Sequence, residues 1–467
     1  MAGRLVVVSN RVSVPGARGA AAGGLAVGLL AALRERGGLW FGWSGAHCEE
    51  PVETPSVTEK DKVTYALLDL SREEHRGYYA GFSNRALWPI CHYRVDLASF
   101  DPHAYTTYRQ VNARFAAALK PLLRDDDLLW IHDYHLVPLA GELRRLGCRQ
   151  RMGFFLHIPF PAAQVFATLP CHQELGRDLT EYDVVGLHTR TDVEQLTDYL
   201  TRELHARDEG GDVLSTGTRR VRLLACPIGI DVREVEKMAA SAEAKRQAKA
   251  LGASLDGRKL IVGIDRLDYS KGIIERLRAF EQLVRDDGKH RRSATLLQIS
   301  APSREEVPEY QSMRRSIERL VGHINGRFGE HDWTPVRYLN RTYSRRSVTG
   351  FCAISKVGLV TPLRDGLNLV AEEYVAAQPE GDPGVLVLSR FAGAAEYLDG
   401  ALIVNPYDVA GVAIALDRAL TMPLEERQER HARMMTAVRT YDIVAWRRRF
   451  LEALEAQELP SPRRAAA

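Results

Sequence analysis

The chain has 467 residues, enough for two large α/β domains or about three smaller ones, and 45% of them are hydrophobic, which excludes a mainly disordered chain. Its 63 Lys and Arg residues nearly balance its 60 Asp and Glu residues, so bulk charge gives no reason to expect a nucleic-acid partner. Six cysteines without a C-x-x-C pair exclude an obvious disulfide framework or zinc motif. We expect a cytoplasmic protein without a membrane segment, since no apolar stretch approaches the length of a spanning helix.

Short apolar and β-branched runs alternate with helical patterns along the chain. The first series of runs covers 4–10, 127–133, 152–158, 182–189 and 222–228. The second covers 259–266, 294–300, 336–340, 357–363, 384–390 and 401–406. Strands of this kind, separated by helices, are typical of parallel sheets buried on both faces. The predicted fold class is therefore α/β, with two Rossmann-like, doubly wound domains.

A charged helical stretch, 232–251, separates the two series. It places the domain boundary near 230, which gives an N-terminal domain of residues 1–230 and a C-terminal domain of residues 231–467. Whether the last helix packs back on the first domain stays open. Ligands bind at the carboxyl ends of the strands in open α/β sheets, so we expect both sheets to present these ends to one cleft.

A pair of glycines, Gly23 and Gly24, precedes an apolar helix shortly after the first strand, which ends at Arg11. Glycines at a helix start let backbone N–H groups approach a phosphate, although a plain tight turn fits the same pattern. The spacing G-x-G-x-x-G is absent from this segment, which disfavours a nicotinamide-dependent oxidoreductase.

Cations follow two strands of the second series. Arg266 and Lys271 lie five residues apart, at a strand end and a helix start, and Arg304 follows the next strand. Two fixed cations can neutralise a diphosphate leaving group as its charge develops. The alternative is a solvated helix start in which Arg266 pairs with Asp268.

Carboxylates follow another strand of the same series. Asp365 lies in a loop and Glu373 in the helix that comes after it, a pattern suited to accepting hydrogen bonds from the hydroxyls of a polyhydroxy ligand. The alternative is that Asp365 only caps the helix. The chain has neither the G-x-S-x-G nucleophile motif nor H-E-x-x-H, so hydrolase functions have little support.

Polar and aromatic residues of the first half complete the candidate set. Asp133 and His157 follow two strands, and Tyr79 and Trp88 have rings that can stack on a sugar or fill the core. We expect the two tryptophans of the segment 39–45 to lie in the core.

Ten blocks of the sequence together resemble the trehalose-6-phosphate synthase family, which are retaining glycosyltransferases of the two-Rossmann (GT-B) type. In chain order they are VVVSNR, AGGLAVGLL, GLWFGWSG, FSNRALWP, WIHDYHL, FFLHIPFP, RLDYSKG, TPLRDGLNLVA, EYVAAQ and IVNPYD. The resemblance implies transfer of glucose from a nucleotide-glucose to glucose 6-phosphate, giving α,α-trehalose 6-phosphate without a cofactor or a required metal. UDP-glucose is the family's default donor, with GDP- or ADP-glucose as alternatives.

The resemblance also implies roles for individual residues. Acceptor-binding positions are Arg11, Tyr79, Trp88, Asp133 and Arg304. Donor-binding positions are Gly23, Gly24, Arg266, Lys271, Tyr343, Asp365, Leu369, Val370 and Glu373. Arg266, Lys271, Asp365 and His157 are expected to take part in catalysis, with His157 near the donor glucose and Asp365 as an orienting group. Glu372 departs from the family pattern, which often has Lys there, and this extra carboxylate would alter nucleotide affinity or have no effect.

Other functions remain open at this point. A related synthase acting on glycerol 3-phosphate or a cyclitol is the nearest alternative, and a catalytically silent regulatory relative is another. The expected partners are small-molecule substrates only, without nucleic acid or membrane, and a homo-oligomer is left open.

Overall fold

The computed structural model describes residues 3–14, 24–217, 219–286, 290–304 and 307–456, so the prediction for Gly23 lies outside the described residues. The chain forms two units: Met1–Pro227 together with Trp446–Ala467, and Ile228–Ala445. The chain first passes from one unit to the other after Pro227, close to the boundary predicted near 230. The second unit ends at Ala445 rather than at 467, because the final segment packs with the first unit.

The sheet of the first unit is mostly parallel. Its strands are β1 Leu5–Arg11, β2 Gly38–Cys48, β3 Ser56–Lys60, β4 Val63–Ser71, β5 Leu128–His132, β6 Arg151–Phe155, β7 Val184–Leu187, β8 Arg207–Gly210, β9 Val213–Thr216 and β10 Arg219–Ala225. Their order is β3-β4-β2-β1-β5-β6-β7-β10-β9-β8. In this spatial order, the seven strands β4, β2, β1, β5, β6, β7 and β10 pair in parallel. Antiparallel pairing adds β3 at one edge and β9 and β8 at the other.

Helices connect these strands. They are α1 Gly24–Arg36, α2 Arg72–Glu74, α3 Trp88–Cys91, α4 Pro102–Leu119, α5 Leu139–Arg145, α6 Ala163–Phe166, α7 His172–Thr180 and α8 Arg190–Leu204. A π-helix, His75–Leu87, lies between α2 and α3. The short helix α2 starts with a capping box, in which Ser71 and Glu74 satisfy each other's backbone N–H groups.

The second unit has a parallel sheet with the strand order of a Rossmann fold. Its strands are β11 Lys259–Arg266, β12 Ala294–Ala301, β13 Val336–Leu339, β14 Val357–Val360, β15 Val385–Ser389 and β16 Leu402–Val404. Their order, β13-β12-β11-β14-β15-β16, corresponds to 3-2-1-4-5-6. The helices are α9 Val232–Ala239, α10 Ala242–Ala253, α11 Ile273–Asp286, α12 Pro308–Phe328, α13 Arg345–Ile354, α14 Leu369–Ala377, α15 Val409–Thr421 and α16 Leu424–Thr440, and α17 Ile443–Glu455 ends the described chain. The predicted fold class is thus confirmed.

Two details differ from the sequence prediction. The stretch 232–251 is not one helix, because the Ser241 side chain accepts from the Ala244 N–H at 3.2 Å and so caps a second helix. The strands β2 to β4, β8 and β9 were not predicted. Among the described residues, none of the helices combines the length and the apolar content that crossing a bilayer requires.

Helix α17 covers the sheet of the first unit. The Phe450 ring lies where a Cβ on Gly153 of β6 would approach it to 2.7 Å, and it stacks on the Trp130 ring at 4.9 Å. Trp446 packs edge-on against Phe155, at 5.2 Å. These contacts explain why the final segment belongs to the first unit, since its aromatic side chains complete that hydrophobic core.

Candidate active site

The strand order reverses once in each sheet, between β1 and β5 and between β11 and β14. Such switch points leave a crevice at the carboxyl ends of the two strands, where ligands of α/β proteins bind. The crevice of the first unit has Arg11 at the end of β1 and Asp133 after β5. That of the second unit has Arg266 at the end of β11 and Asp365 after β14. Four of the predicted residues, Arg11, Asp133, Arg266 and Asp365, therefore lie at the two switch points.

Lys271 and Asp365 form a mostly buried ion pair at the second switch point. The same carboxylate oxygen, Oδ2, accepts from Asn368 Nδ2 at 3.0 Å. Asn368 has φ +82° and is the residue preceding α14, so Asp365 is not the helix cap and that alternative is wrong. Asp365 is instead held in its loop by its own N–H, which donates to the Phe391 carbonyl at 3.0 Å. A carboxylate fixed in this way can orient ligand hydroxyls.

The loop that carries Lys271 is held from below. Gly272 has φ +63°, and a Cβ there would lie 2.3 Å from the Thr361 carbonyl oxygen, so only glycine fits. Arg276 Nη2 donates to the Lys271 carbonyl at 3.3 Å. The Arg276 guanidinium is itself buried against Asp265, at 2.5 Å. The position of the Lys271 backbone thus depends on the buried Arg276–Asp265 pair.

A cavity of about 240 Å³ lies next to this pair, within the second unit. Its lining includes Arg266, Arg341, Tyr343, Arg345, Val370 and Glu373. The Arg341 guanidinium lies over the Tyr343 ring, 4.6 Å from its centroid, and the ring meets Phe351 edge-on at 5.4 Å. A mostly apolar cavity with a few polar groups suits a flat ring joined to a hydroxylated sugar.

Glu373 is the charged group of α14 in this cavity. Burial raises the pKa of its carboxyl group, and the Arg345 guanidinium, 3.2 Å away, acts to lower it. Leu369 and Val370 are the first two residues of the same helix. Backbone N–H groups in a first helical turn lack intrahelical partners, so they can donate to an anion.

Glu372 points elsewhere and does not line the cavity. Its side chain is fully buried and bonds to the Tyr397 hydroxyl. Burial raises the pKa of Glu372 to about 8. The sequence left two possibilities for this extra carboxylate, an altered nucleotide affinity or no effect. Because Glu372 does not line the cavity, the structure shows no direct contact by which it would reach a nucleotide there.

Arg304 is placed in the second unit, whereas the other predicted acceptor residues belong to the first. Its Nη1 donates to Asp268 Oδ2 at 2.8 Å, and the Tyr310 hydroxyl joins the same group. The Arg304 backbone has φ +48°, an uncommon conformation for a residue with a side chain. A strained backbone at a strand end is typical of functional loops.

The first switch point has a cation over an aromatic ring. The Arg11 guanidinium lies 5.8 Å from the centroid of the Trp43 ring. Gly45 has φ +90°, and a Cβ there would come within 2.8 Å of the guanidinium. Trp43 is buried as predicted, yet it also supports Arg11, a role that the sequence pattern did not indicate.

Tyr79 is sandwiched between two histidine rings. Its ring stacks on His75 at 5.0 Å and on His135 at 5.6 Å. Trp88 is buried and stacks on His92 at 4.1 Å. Tyr79 lies in the π-helix, and Trp88 is the first residue of α3, which follows it. Segments of π-helix are frequent at functional sites.

Asp133 and His157 meet after β5 and β6. Asp133 has φ +76°, and its Oδ1 accepts from the His157 N–H at 3.2 Å. His157 Nε2 lies 3.1 Å from His132 Nδ1. Burial, His132 and His188 lower the pKa of His157 well below its usual value. Its imidazole is therefore neutral near pH 7 and can orient a hydroxyl, but it is a poor general acid.

Three polar residues of the second unit were missed by the sequence analysis. Asn368 lies inside a quoted block, where an Asn before a helix is a usable signal. Arg276 and Arg345 had no such signal, because their acidic partners are distant in the sequence. Within the described residues, no group of three or more His, Cys, Asp and Glu side chains is arranged for a metal ion, and the absence of a required metal stays a prediction.

Two units with mostly parallel sheets, each with polar residues at its switch point, form the two-Rossmann architecture expected for this class of glycosyltransferase. The family model "Glycosyltransferase family 20" matches residues 6–456. A trehalose-6-phosphate synthase from Sinorhizobium fredii is 50% identical over 456 residues, which cover 97% of this chain and 98% of the relative. The chain therefore belongs to the trehalose-6-phosphate synthases of glycosyltransferase family 20.

Solved structures agree with this assignment. A UDP-forming α,α-trehalose-phosphate synthase from Burkholderia xenovorans, in complex with glucose 6-phosphate, has a TM-score of 0.92 and 47% identity, covering 97% of this chain and 100% of that one. An E. coli structure bound with UDP-2-fluoro glucose has a TM-score of 0.93 and 45% identity, covering 98% of this chain and 100% of that one. The predicted family and enzyme class are confirmed.

Proposed function

We propose that this enzyme transfers glucose from UDP-glucose to glucose 6-phosphate with retention of configuration, forming α,α-trehalose 6-phosphate. The observation that carries the proposal is the Lys271–Asp365 pair at the second switch point, in the same unit as the cavity that Arg266 and Glu373 line. The relatives bound with glucose 6-phosphate and with a UDP-glucose analogue support the choice of substrates.

The donor is assigned to the second unit. Tyr343 contributes to the base end of the cavity and Glu373 accepts from the ribose hydroxyls. Arg266 and Lys271 neutralise the diphosphate, with the Leu369 and Val370 amides donating to its oxygens. The helix start at Gly24, in the first unit, stays a predicted diphosphate contact. Asp365 accepts from the glucose hydroxyls.

The acceptor is assigned mainly to the first unit. Arg11 supplies forked donors for the phosphate. Arg304, in the second unit, stays a predicted acceptor residue. Asp133 accepts from the glucose hydroxyls. Tyr79 offers its hydroxyl to the same ligand, because its ring is already stacked on two histidines, and Trp88 is assigned to the same site.

The chemical step needs charge stabilisation at the leaving group. As the bond from the glucose anomeric carbon to the diphosphate oxygen breaks, negative charge grows on that oxygen, and Arg266 and Lys271 stabilise it. The acceptor hydroxyl attacks the anomeric carbon from the face of the sugar that the diphosphate leaves, and its proton passes to the departing phosphate oxygen. Asp365 is already engaged by Lys271 and Asn368, which suits orientation better than nucleophilic attack. His157 contacts the donor glucose as a neutral ring.

A donor panel tests the proposal. The enzyme is incubated with glucose 6-phosphate and UDP-, GDP- or ADP-glucose, with and without a chelator, and the product's anomeric configuration is read by NMR. We expect trehalose 6-phosphate with both anomeric centres α, the highest kcat/KM with UDP-glucose, and no effect of the chelator. Failure to form the product with any donor refutes the activity, and a preference for glycerol 3-phosphate or a cyclitol as acceptor favours the alternative synthase.

Two variants test the leaving-group role. Arg266→Ala and Lys271→Ala should each lower kcat by about 10²-fold, since each removes a cation from the developing charge. Lys356→Ala is the matched control, because Lys356 forms a more exposed ion pair, with Asp382, in the same unit. An unchanged kcat in the first two variants contradicts the assigned role.

A further inference from the structure

We propose that Arg345 is a positioning residue that holds the Glu373 carboxyl group aimed at the ribose hydroxyls of the donor. The inference rests on the proposed function, in which this cavity takes the nucleoside of a nucleotide-glucose. It adds a specificity determinant to the reaction, one that acts through Glu373 rather than by touching the chemistry.

The Arg345 guanidinium joins three helices, α9, α13 and α14. Arg345 is the first residue of α13, directly after Ser344, which caps the helix by accepting from the Ser347 N–H at 3.1 Å. Its Nη2 lies 3.2 Å from Glu373 Oε1 on α14, and its Nη1 lies 3.3 Å from Glu234 Oε1 on α9. Arg345 thus occupies a fixed place with both sides of its fork engaged, and Glu373 is tied to it through one oxygen.

The surroundings explain why Glu373 needs this partner. Both Arg345 and Glu373 line the cavity, whose walls near them include Val348, Cys352 and Val370. Such walls disfavour a charged carboxyl group, and burial accordingly raises the pKa of Glu373, whereas Arg345 acts in the opposite direction.

Ionisation matters because of what a ribose offers. Its two neighbouring hydroxyls are donors, and an ionised carboxylate is an acceptor at both oxygens, whereas a protonated acid spends one oxygen on its own O–H. A carboxylate turned by a few tenths of an ångström away from the sugar loses the paired contact. Arg345 controls both the charge and the direction, so it sets how strongly the enzyme discriminates ribose from a deoxygenated sugar.

The test combines a protein variant with a substrate variant. Arg345→Gln and the wild type are assayed with UDP-glucose and with its 2′,3′-dideoxyribose analogue. For the variant we expect the KM for UDP-glucose to rise about tenfold, as for the loss of a charge-assisted contact, with kcat changed little. The KM for the dideoxy analogue, which has no hydroxyls for Glu373, should stay the same within about twofold.

Three further variants sharpen the result. Glu234→Gln is the matched control, because it removes the other carboxylate on the same guanidinium, and it should keep the preference for ribose. Arg345→Lys keeps the positive charge, so its KM for UDP-glucose should lie much closer to the wild-type value than that of Arg345→Gln. Arg345→Gln placed on a Glu373→Gln background should add nothing further, since its effect passes through Glu373.

The outcomes separate the possible failures. A rise in KM for both donors alike in Arg345→Gln means a general structural role and overturns the inference, as does an unchanged KM for both. If Arg345→Gln does not fold, calorimetry of Arg345→Lys, Glu373→Gln and the wild type decides, with UDP and 2′,3′-dideoxy-UDP as ligands. The inference is supported if Arg345→Lys prefers UDP over the dideoxy ligand as strongly as the wild type does and Glu373→Gln loses this preference. Any other pattern overturns it. Inactivity of the wild type with every donor refutes the proposed function itself, which the Arg345 variants do not affect.

Discussion

Replacing Arg276 by methionine should strongly destabilise the second unit. The guanidinium is buried and donates to Asp265 Oδ2 at 2.5 Å, Gln298 Oε1 at 3.0 Å, Thr361 Oγ1 at 3.2 Å and the Lys271 carbonyl at 3.3 Å. Removing one partner of a buried ion pair costs about 3–5 kcal/mol, because the other charge is left uncompensated. At about 2–4 °C per kcal/mol for a domain of this size, the Tm of Arg276→Met should fall by about 6–20 °C.

The loss should depend on pH in a defined direction. Burial already raises the pKa of Asp265 and Arg276 opposes this, so removing Arg276 raises that pKa further. A carboxyl group whose pKa is raised in the folded state stabilises below its ordinary pKa, and this stability is lost as the pH rises through the raised value. The Tm deficit of Arg276→Met should therefore be larger near about pH 8 than near about pH 5.

Differential scanning calorimetry at both pH values measures these effects. Arg278→Met is the matched control, because Arg278 is exposed on the same helix, and its Tm should stay within about 2 °C of the wild type. Adding Asp265→Asn to Arg276→Met should recover part of the loss, since it removes the stranded charge. Equal Tm values for Arg276→Met and Arg278→Met, or a double variant less stable than Arg276→Met, would refute the reasoning.

Three further predictions concern single residues. The His157 ring should show no NMR titration between about pH 5.5 and pH 8, because its pKa lies well below the usual value; a midpoint near 6.5 would contradict this. Asn368→Gly should keep the wild-type Tm and lower kcat, whereas Asn368→Ala should also lose about 1–2 kcal/mol to its positive φ; equal melting of the two variants would speak against backbone strain. The pKa of Glu372 is raised from 4.5 to about 8, so wild-type stability should fall as the pH rises between these values, and Glu372→Gln should lack this component of the Tm–pH curve.

In the second unit the sequence predicted all six strands, including the edge strands β13 and β16. In the first unit it missed five strands, β2, β3, β4, β8 and β9, of which β3 and β8 are the sheet edges. The run that became β11 is apolar from 260 to 264, and the strand ends at Arg266, as predicted. In contrast, β3 is exposed along its whole length and has no apolar signal, so only pairing with β4 makes it a strand.

Side-chain partners were harder to predict than side-chain locations. Lys271 and Asp365 were both placed after strands, but their ion pair depends on β11 and β14 being neighbours, which is a property of the sheet order. The pairing of Arg345 with Glu373 likewise depends on how two helices pack. Local sequence patterns specify which residues are at strand ends, and long-range packing specifies which of them meet.

The return of α17 to the first unit has a consequence for biosynthesis. Phe450 fills the space over Gly153 and Gly186, and Trp446 packs beside it, although both aromatic residues follow the whole second unit in the chain. A nascent chain leaves the ribosome N-terminus first. The sheet of the first unit is therefore made early and keeps an uncovered apolar face until Trp446 and Phe450 are synthesised. The second unit is continuous in sequence, residues 228–445, and is complete before those two residues are made. The part of the protein made first is thus completed last, and until then its uncovered face is open to chaperones and to aggregation.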